Sequence, residues 1–112
     1  MTPLRIESQV DGNERQILVY GEIDASTADE FRSALTADST RRLVVDLREC
    51  SFMDLAGLRC LEGVRSSGSL TLIPSPQVWR LLELTDTTHL FRIETEGFDG
   101  EEGGQGGSTS DE

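Results

Sequence analysis

Some residue types are scarce or missing in this chain of 112 residues, and each absence narrows the class of protein. There is no lysine, so arginine supplies all ten basic residues against 21 acidic ones, which leaves a net charge of −11. Such a charge would repel nucleic acid and anionic lipid. We therefore expect the partner to be a protein or a small molecule.

Cysteine and histidine are too few for most metal centres. Cys50 and Cys60 do not form a CxxC pair, and His89 is the one histidine. A zinc site needs about four ligands, so we expect no metal and no other cofactor. Each cysteine is predicted to be a small buried residue with a reduced thiol.

The same scarcity argues against catalysis. A Ser-His-Asp or Cys-His site would have to use His89, which lies between a helix end and a short strand and is expected at the surface. Asp24, Asp46 and Asp54 could form a carboxylate cluster, but no nucleophile or metal-binding histidine accompanies them. The phosphate-binding patterns GxxxxGKS/T and GxGxxG are also absent. We predict that the chain is not an enzyme.

Long hydrophobic runs are missing as well. No run of about 18 apolar residues could span a membrane, and the first residues, MTPLRIESQV, lack the layout of a signal peptide. These features predict a cytoplasmic protein. Hydrophobic residues make up 36% of the chain, which suits one domain with a modest core.

The composition divides the chain into a domain and a tail. Residues 97–112, GFDGEEGGQGGSTSDE, hold six glycines, five acids and no base. Such a segment cannot bury enough apolar surface to offset the entropy of ordering. We predict one domain over residues 1–96, followed by an acidic, glycine-rich disordered tail over 97–112.

Strands and helices alternate within the domain. Apolar and β-branched runs predict strands over about 4–10, 16–20, 43–47 and 70–73, with a short closing strand or terminal segment at 90–94. Helices are expected between the later strands. This order predicts a mostly parallel sheet flanked by helices, from which the first two strands depart.

Three helix starts can be recognised. Ser26, three residues before Asp29, resembles a capping box. The stretch FMDLAG (52–57) leads into a second helix whose apolar residues repeat at helical spacing. Ser75 is the predicted cap of the third helix, with Pro76 at its first position.

The stretch FMDLAG raises a question about control. Its Asp54 precedes a helix start, where partial positive charge and unpaired N–H groups favour an acidic cap. A phosphate would be favoured at the same place, yet Leu55 and Ala56 carry no hydroxyl group. From the residues alone, the stretch is either a capped tight turn or part of a switch without its acceptor.

Three segments together resemble the STAS domains of bacterial anti-sigma factor antagonists, and the resemblance covers about residues 4–96. They are GEIDASTADEFRSAL (21–35), LVVDLRECSFMDLAGLRCL (43–61) and IPSPQVWRLLELTDTTHLFRI (73–93). The family implies an α/β, STAS-like fold in which a mixed sheet of four or five strands packs against three or more helices.

The resemblance also implies a function. Family members bind an anti-sigma factor, often a serine kinase, and so release a sigma factor. In many of them the kinase phosphorylates a serine in an Asp-Ser-Ser-Gly-like motif, which ends the binding. That motif falls on residues 54–57, where Ala56 occupies the acceptor position, so a phosphate switch is not expected there. The predicted partner surface comprises Asp24, Ser26, Asp54, Leu55, Ala56, Gly57, Arg59 and Glu62.

Two other functions stay open. STAS domains without the phosphoserine include the small cytoplasmic subunit of bacterial phospholipid-transport ABC complexes, which resembles Asp-x-Ala-Gly at this place. Another possibility is an assembly module that forms a homodimer or pairs with other STAS domains. Residues 74–93 and, weakly, the acidic tail favour the antagonist interpretation.

Overall fold

A computed structural model describes residues 3–37, 42–65 and 70–94, in which five strands form one mixed sheet. The strands, in their order across the sheet, are β1 (Arg5–Asp11), β2 (Glu14–Ile23), β3 (Arg42–Met53), β4 (Leu70–Pro74) and β5 (Arg92–Ile93). β1 is antiparallel to β2, and all later neighbours are parallel. The predicted mixed sheet is confirmed, whereas the predicted tail lies outside the described residues.

Three helices connect the parallel strands. They are α1 (Ala28–Thr36), α2 (Leu55–Arg65) and α3 (Pro76–Leu84), and a single 3-10 turn, Thr88–Leu90, precedes β5. α1 and α2 pack against each other, whereas α3 packs mainly against β3. No helix in the described part of the chain is long and apolar enough to cross a membrane.

The start of α3 confirms the predicted cap. The Ser75 hydroxyl oxygen accepts a hydrogen bond from the Val78 N–H at 3.1 Å, and Pro76 occupies the first helical position. The same hydroxyl donates to the Cys50 carbonyl oxygen at 2.8 Å. The cap therefore also ties α3 to β3.

The start of α1 differs from the capping box predicted for Ser26 and Asp29. Thr27 occupies the N-cap position, and no side chain makes a capping hydrogen bond there. The Ser26 hydroxyl and N–H instead donate to Asp24 Oδ1, at 2.6 and 2.9 Å. The capping-box prediction was wrong because this serine is used in the turn that precedes the helix.

β3 is longer than the sequence predicts. The strand expected over 43–47 continues to Met53, with register shifts against β2 at two points. β4 pairs with β3 only as far as Leu47 and Pro74, so β3 extends well past β4. The stretch FMDLAG is therefore a direct junction between a strand and a helix. Phe52 and Met53 belong to β3, and Asp54 alone connects this strand to α2.

One cluster of buried side chains joins the sheet to the helices. Along β2, Ile17, Val19 and Ile23 are at most 1% exposed and alternate with half-buried residues. The helices contribute Phe31, Leu35, Leu58, Leu61, Val78 and Leu82.

Both cysteines lie within this cluster as free, buried thiols, as predicted. Burial raises the pKa of the Cys50 thiol to about 11. At neutral pH this thiol is therefore protonated and behaves as an apolar side chain.

Gly57 allows α2 to lie very close to the ends of the two central strands. A Cβ atom at this position would be 2.7 Å from Met53 Cγ and 2.8 Å from Ile23 Cγ2. No side chain fits in that space without displacing a neighbour. The close contact therefore fixes how far α2 stands from the sheet.

Replacing Gly57 by alanine should lower the free energy of unfolding by up to about 2 kcal/mol. Overpacking costs about 1–3 kcal/mol, and the helical preference of alanine returns about 1 kcal/mol. Gly63→Ala is the matched control in the same helix, because its added Cβ would meet nothing within 4 Å among the described residues, apart from its chain neighbours and the backbone of its own helix. That change should raise the free energy of unfolding by roughly 0.5–1 kcal/mol. Urea denaturation measures both, and equal effects would contradict the close contact.

Candidate functional site

Asp24 and Asp54 lie at the same end of the sheet because β2 and β3 are parallel neighbours. The register pairs Ile23 with Met53, and the Asp54 N–H donates to the Ile23 carbonyl oxygen at 3.2 Å. Each aspartate directly follows one of these paired residues. The two carboxylates therefore belong to one surface at the carboxyl ends of the central strands.

Asp54 caps the first turn of α2, as the sequence predicts. Its carboxylate accepts a hydrogen bond from the Ala56 N–H at 2.9 Å, and its backbone carbonyl accepts one from the Leu58 N–H at 3.1 Å. The side chain is half-buried. It stabilises the helix both as an acceptor and through its negative charge near the positive end of the helix.

Asp24 is held in the turn between β2 and α1. Its carboxylate accepts the O–H and the N–H of Ser26, and its N–H donates to Thr27 Oγ1 at 2.9 Å. The Ser26 hydroxyl is the main cause of a lowered pKa of the Asp24 carboxyl, followed by the Ser26 N–H. The turn therefore stabilises the ionised form of this carboxyl.

Two large apolar side chains are exposed near the carboxyl end of β3 and the start of α2. Leu55, the first residue of α2, is 51% exposed, and Phe52, near the end of β3, is 46% exposed. Phe52 lies next to Met53, whose side chain points into the core. Phe52 was missed in the sequence, although strand alternation would indicate its outward direction once residue 52 is known to lie in a strand.

Polar side chains follow Leu55 along one face of α2. Arg59 is exposed and Glu62 is half-buried, and both follow at the spacing of one helix face. We call the group formed by Asp24, Phe52, Asp54, Leu55 and Arg59 the strand-end surface.

The other predicted site residues play more local roles. Gly57 is buried against the strands, and Ala56 is half-buried beside the cap. Ser26 is exposed but donates its hydroxyl proton to Asp24. Among nearby hydroxyls, Ser51 is exposed and donates to the Gly21 carbonyl oxygen at 3.3 Å.

Asp46, the third carboxylate considered above, lies apart from the strand-end surface. It is paired with Leu18 and Ile73 in mid-sheet, and its Oδ2 lies 2.7 Å from Arg48 Nη2. Burial opposes ionisation of Asp46, but hydrogen bonds and charge from Arg48 outweigh it and lower the pKa. Within the described ranges, no group of three or more His, Cys, Asp or Glu residues could hold a metal ion.

An open groove of about 1210 Å³ lies elsewhere on the sheet. Its lining comes from four elements, β2, β3, β4 and α3, and includes Leu18, Tyr20, Asp46, Arg48, Trp79 and Glu83. None of the predicted site residues lines it, and the sequence analysis did not anticipate it.

Comparison with known proteins identifies the family. The STAS domain profile matches residues 5–96, so the chain belongs to the STAS domain family, and the predicted membership is confirmed. A STAS-domain containing protein of Pseudomonas aeruginosa is 32% identical over 91 residues, which are 74% of this chain and 90% of that protein.

Solved structures share the fold at lower identity. An anti-sigma factor antagonist from Mycobacterium paratuberculosis matches with a TM-score of 0.76 and 24% identity, over 83% of this chain and 86% of its own. SpoIIAA in its unphosphorylated form matches with a TM-score of 0.62 and 18% identity, over 87% of this chain and 96% of its own. The phosphorylated form of SpoIIAA, from Bacillus, matches with a TM-score of 0.61 and 19% identity, over 86% of this chain and 95% of its own. The predicted α/β fold is thereby confirmed.

Two changes at Asp54 should separate its hydrogen bond from its charge. Asp54→Ala removes the cap and should lower the free energy of unfolding by about 1 kcal/mol. Asp54→Asn keeps a side-chain acceptor, so we expect a change within about 0.5 kcal/mol. Urea denaturation measures both variants. An equal loss in the two would mean that the charge, not the hydrogen bond, stabilises the start of α2.

The turn around Asp24 predicts a dependence on pH. Its carboxyl should titrate below the ordinary value of 3.8. Because the pKa is lower in the folded state, the turn stabilises the fold above the unfolded pKa, and this stabilisation is lost as the pH falls through the folded value. Ser26→Ala should raise the pKa of Asp24 in an NMR titration, whereas Ser33→Ala, on the exposed side of α1, should leave it unchanged. An Asp24 pKa at or above 3.8 in the unchanged protein would contradict the hydrogen bonds.

Proposed function

We propose that this domain binds an anti-sigma factor through the strand-end surface and so releases a sigma factor. The observation that carries the proposal is the exposure of Leu55 at the start of α2, directly beside the capping Asp54. Structural relatives named anti-sigma factor antagonists support the same general kind of function. A cytoplasmic location belongs to the proposal, because sigma factors act there on RNA polymerase.

The chemistry of the surface suits a protein partner. Leu55 and Phe52 are each about half exposed, and burying what remains would contribute about 1.5–3 kcal/mol together. Asp24 and Asp54 add negative charge to a chain whose net charge is −11. A partner with a basic rim around an apolar patch would be attracted over a distance and oriented on contact.

Control by phosphate at position 56 is not part of the proposal. SpoIIAA is described in both phosphorylated and unphosphorylated forms, but alanine offers no hydroxyl for such a change. Ala56 has the size of an unmodified serine without its oxygen, and its N–H is engaged by Asp54. We propose that the surface is always competent to bind.

The partner can be identified by affinity purification of the full chain from its native cell, with mass spectrometry of what it retains. An anti-sigma factor, with or without a kinase domain, is the expected result. Recovery of a phospholipid-transport ABC complex, or of other STAS proteins alone, would overturn the proposal in favour of a structural subunit.

Adding a negative charge at position 56 should weaken binding and spare the fold. The helix N-terminus tolerates a carboxylate, so Ala56→Glu should leave the melting temperature nearly unchanged. A partner surface shaped for an uncharged residue would have to bury that charge unpaired, and we expect at least about a tenfold loss of affinity, or about 1.4 kcal/mol. Calorimetric titration against the purified anti-sigma factor measures the effect.

Two control variants make this titration specific. Ala56→Ser restores only a hydroxyl and should bind as the unchanged chain does. Ala37→Glu adds the same charge at an exposed alanine beyond the end of α1 and should also leave the affinity unchanged. Equal affinity for Ala56→Glu and the unchanged chain would place the contact elsewhere.

A further inference from the structure

β1 forms one edge of the sheet, and in the described part of the chain no strand pairs with its outer side. Nearly all of its residues are exposed, and Val10 is 55% exposed. An edge strand presents backbone N–H and C=O groups that another strand can pair with. Charges on an edge usually oppose such pairing, so the order of the charges along β1 decides whether a partner strand fits.

The sequence of β1, RIESQVD, is complementary to itself when two copies run antiparallel. With a twofold axis at Ser8, Arg5 of one copy lies opposite Asp11 of the other, and Ile6 lies opposite Val10. Glu7 lies opposite Gln9, and Ser8 lies opposite its own counterpart. Opposite charges and apolar side chains thus meet directly across the strands, where such pairs stabilise a sheet.

Other antiparallel registers lose this match. Moving one strand by two residues places Glu7 opposite a second Glu7, or opposite Asp11. Moving it by one residue places Ile6 opposite Gln9 or Asp11. The register centred on Ser8 alone pairs all seven residues of the strand.

The faces of the sheet agree with this register. Ile6 pairs with Val19 of β2, and Val10 pairs with Arg15, so both side chains are on the face that carries the buried residues of β2. Ile6 already packs against the core. In the paired arrangement the exposed Val10 of each copy would be covered by Ile6 of the other.

Arg5 lies on the opposite face and makes two contacts there. Its guanidinium lies 4.2 Å from the centre of the Tyr20 ring, and its Nη1 is 3.3 Å from Glu7 Oε2. A long side chain that is already held in place loses less entropy when it forms a new ion pair.

We propose that β1 pairs antiparallel with β1 of a second copy of this chain, in the register centred on Ser8, so that one sheet continues through a twofold homodimer. The arrangement is isologous and extends an exposed sheet edge. Only one short strand from each copy is involved, which is little compared with stable interfaces. We therefore expect a weak dimer that depends on concentration. This inference is independent of the proposed function.

Sedimentation equilibrium of the full chain, from about 1 to about 500 µM in about 0.15 M salt, tests the proposal. The average mass should rise from 12.3 kDa towards twice that value. Asp11→Arg should raise the dissociation constant at least about tenfold, because it places like charges opposite each other at both ends of the symmetric pair.

The effect of Asp11→Arg on dimerisation distinguishes pairing in this register from an effect of general repulsion between acidic chains. The change replaces an acid by a base and moves the net charge from −11 to −9, so general repulsion would decrease and dimerisation would strengthen. Combining Arg5→Asp with Asp11→Arg exchanges the two charges, returns the net charge to −11, and should restore the dimer.

A second pair of variants tests the apolar contact. Val10→Glu should abolish the dimer, whereas Leu84→Glu should not, because Leu84 is 74% exposed on α3 and lies outside β1. Thermal melts check that each variant remains folded, as expected for changes at exposed side chains. A chain that stays monomeric up to about 500 µM, or a dimer that ignores both Asp11→Arg and Val10→Glu, would overturn the proposal.

Discussion

The strand-end surface depends on the contact between α2 and the ends of β2 and β3. Parallel neighbours end at the same edge of a sheet, and one residue, Asp54, connects β3 to the helix. Its N–H is bonded to the Ile23 carbonyl oxygen, and Gly57 lets the helix descend onto Ile23 and Met53. The exposed side chain of Leu55 is therefore positioned by packed backbone rather than by a loop. A surface built in this way has little freedom to lose when a partner binds.

The features predicted correctly from the sequence are those that depend on nearby residues. The spacing of apolar residues in α2 and the cap at Ser75 involve positions three or four apart, so they can be read locally. The second half of β3 could not be predicted in this way. Residues 48–52 include charged and polar side chains and form a strand because β2 pairs with them, through two register shifts that leave no pattern in the sequence. That failure also concealed Phe52, since its outward direction follows only from a strand at this place.

The polar residues of the site show a second limit to what the sequence alone can predict. Ser26 has the spacing of a cap, but Asp24, two residues earlier, accepts its hydroxyl proton. A local pattern cannot decide whether the serine oxygen accepts an N–H of the helix or the hydroxyl group is held in the turn by Asp24, because this depends on how the chain leaves β2. The Asp54 carboxylate does accept the N–H of Ala56 in the first turn of α2, and there the motif predicted both the cap and its place. The groove beside Trp79 is a different case: four separate elements form it, so no single segment of the sequence indicates it.

The strand-end surface and the outer edge of β1 could both be occupied at the same time. If two copies join through antiparallel β1 strands, the β2 strands of the two copies also run in opposite directions, because each β2 is antiparallel to its own β1. The carboxyl ends of β2 and β3, and with them the strand-end surfaces, then face opposite ends of the joined sheet. Neither copy would cover the surface of the other, so a dimer could engage two partners at once. Binding to a partner that is itself dimeric would gain affinity only if its two sites could span that separation. The direction of the β1 pairing therefore determines which partner assemblies this protein could hold.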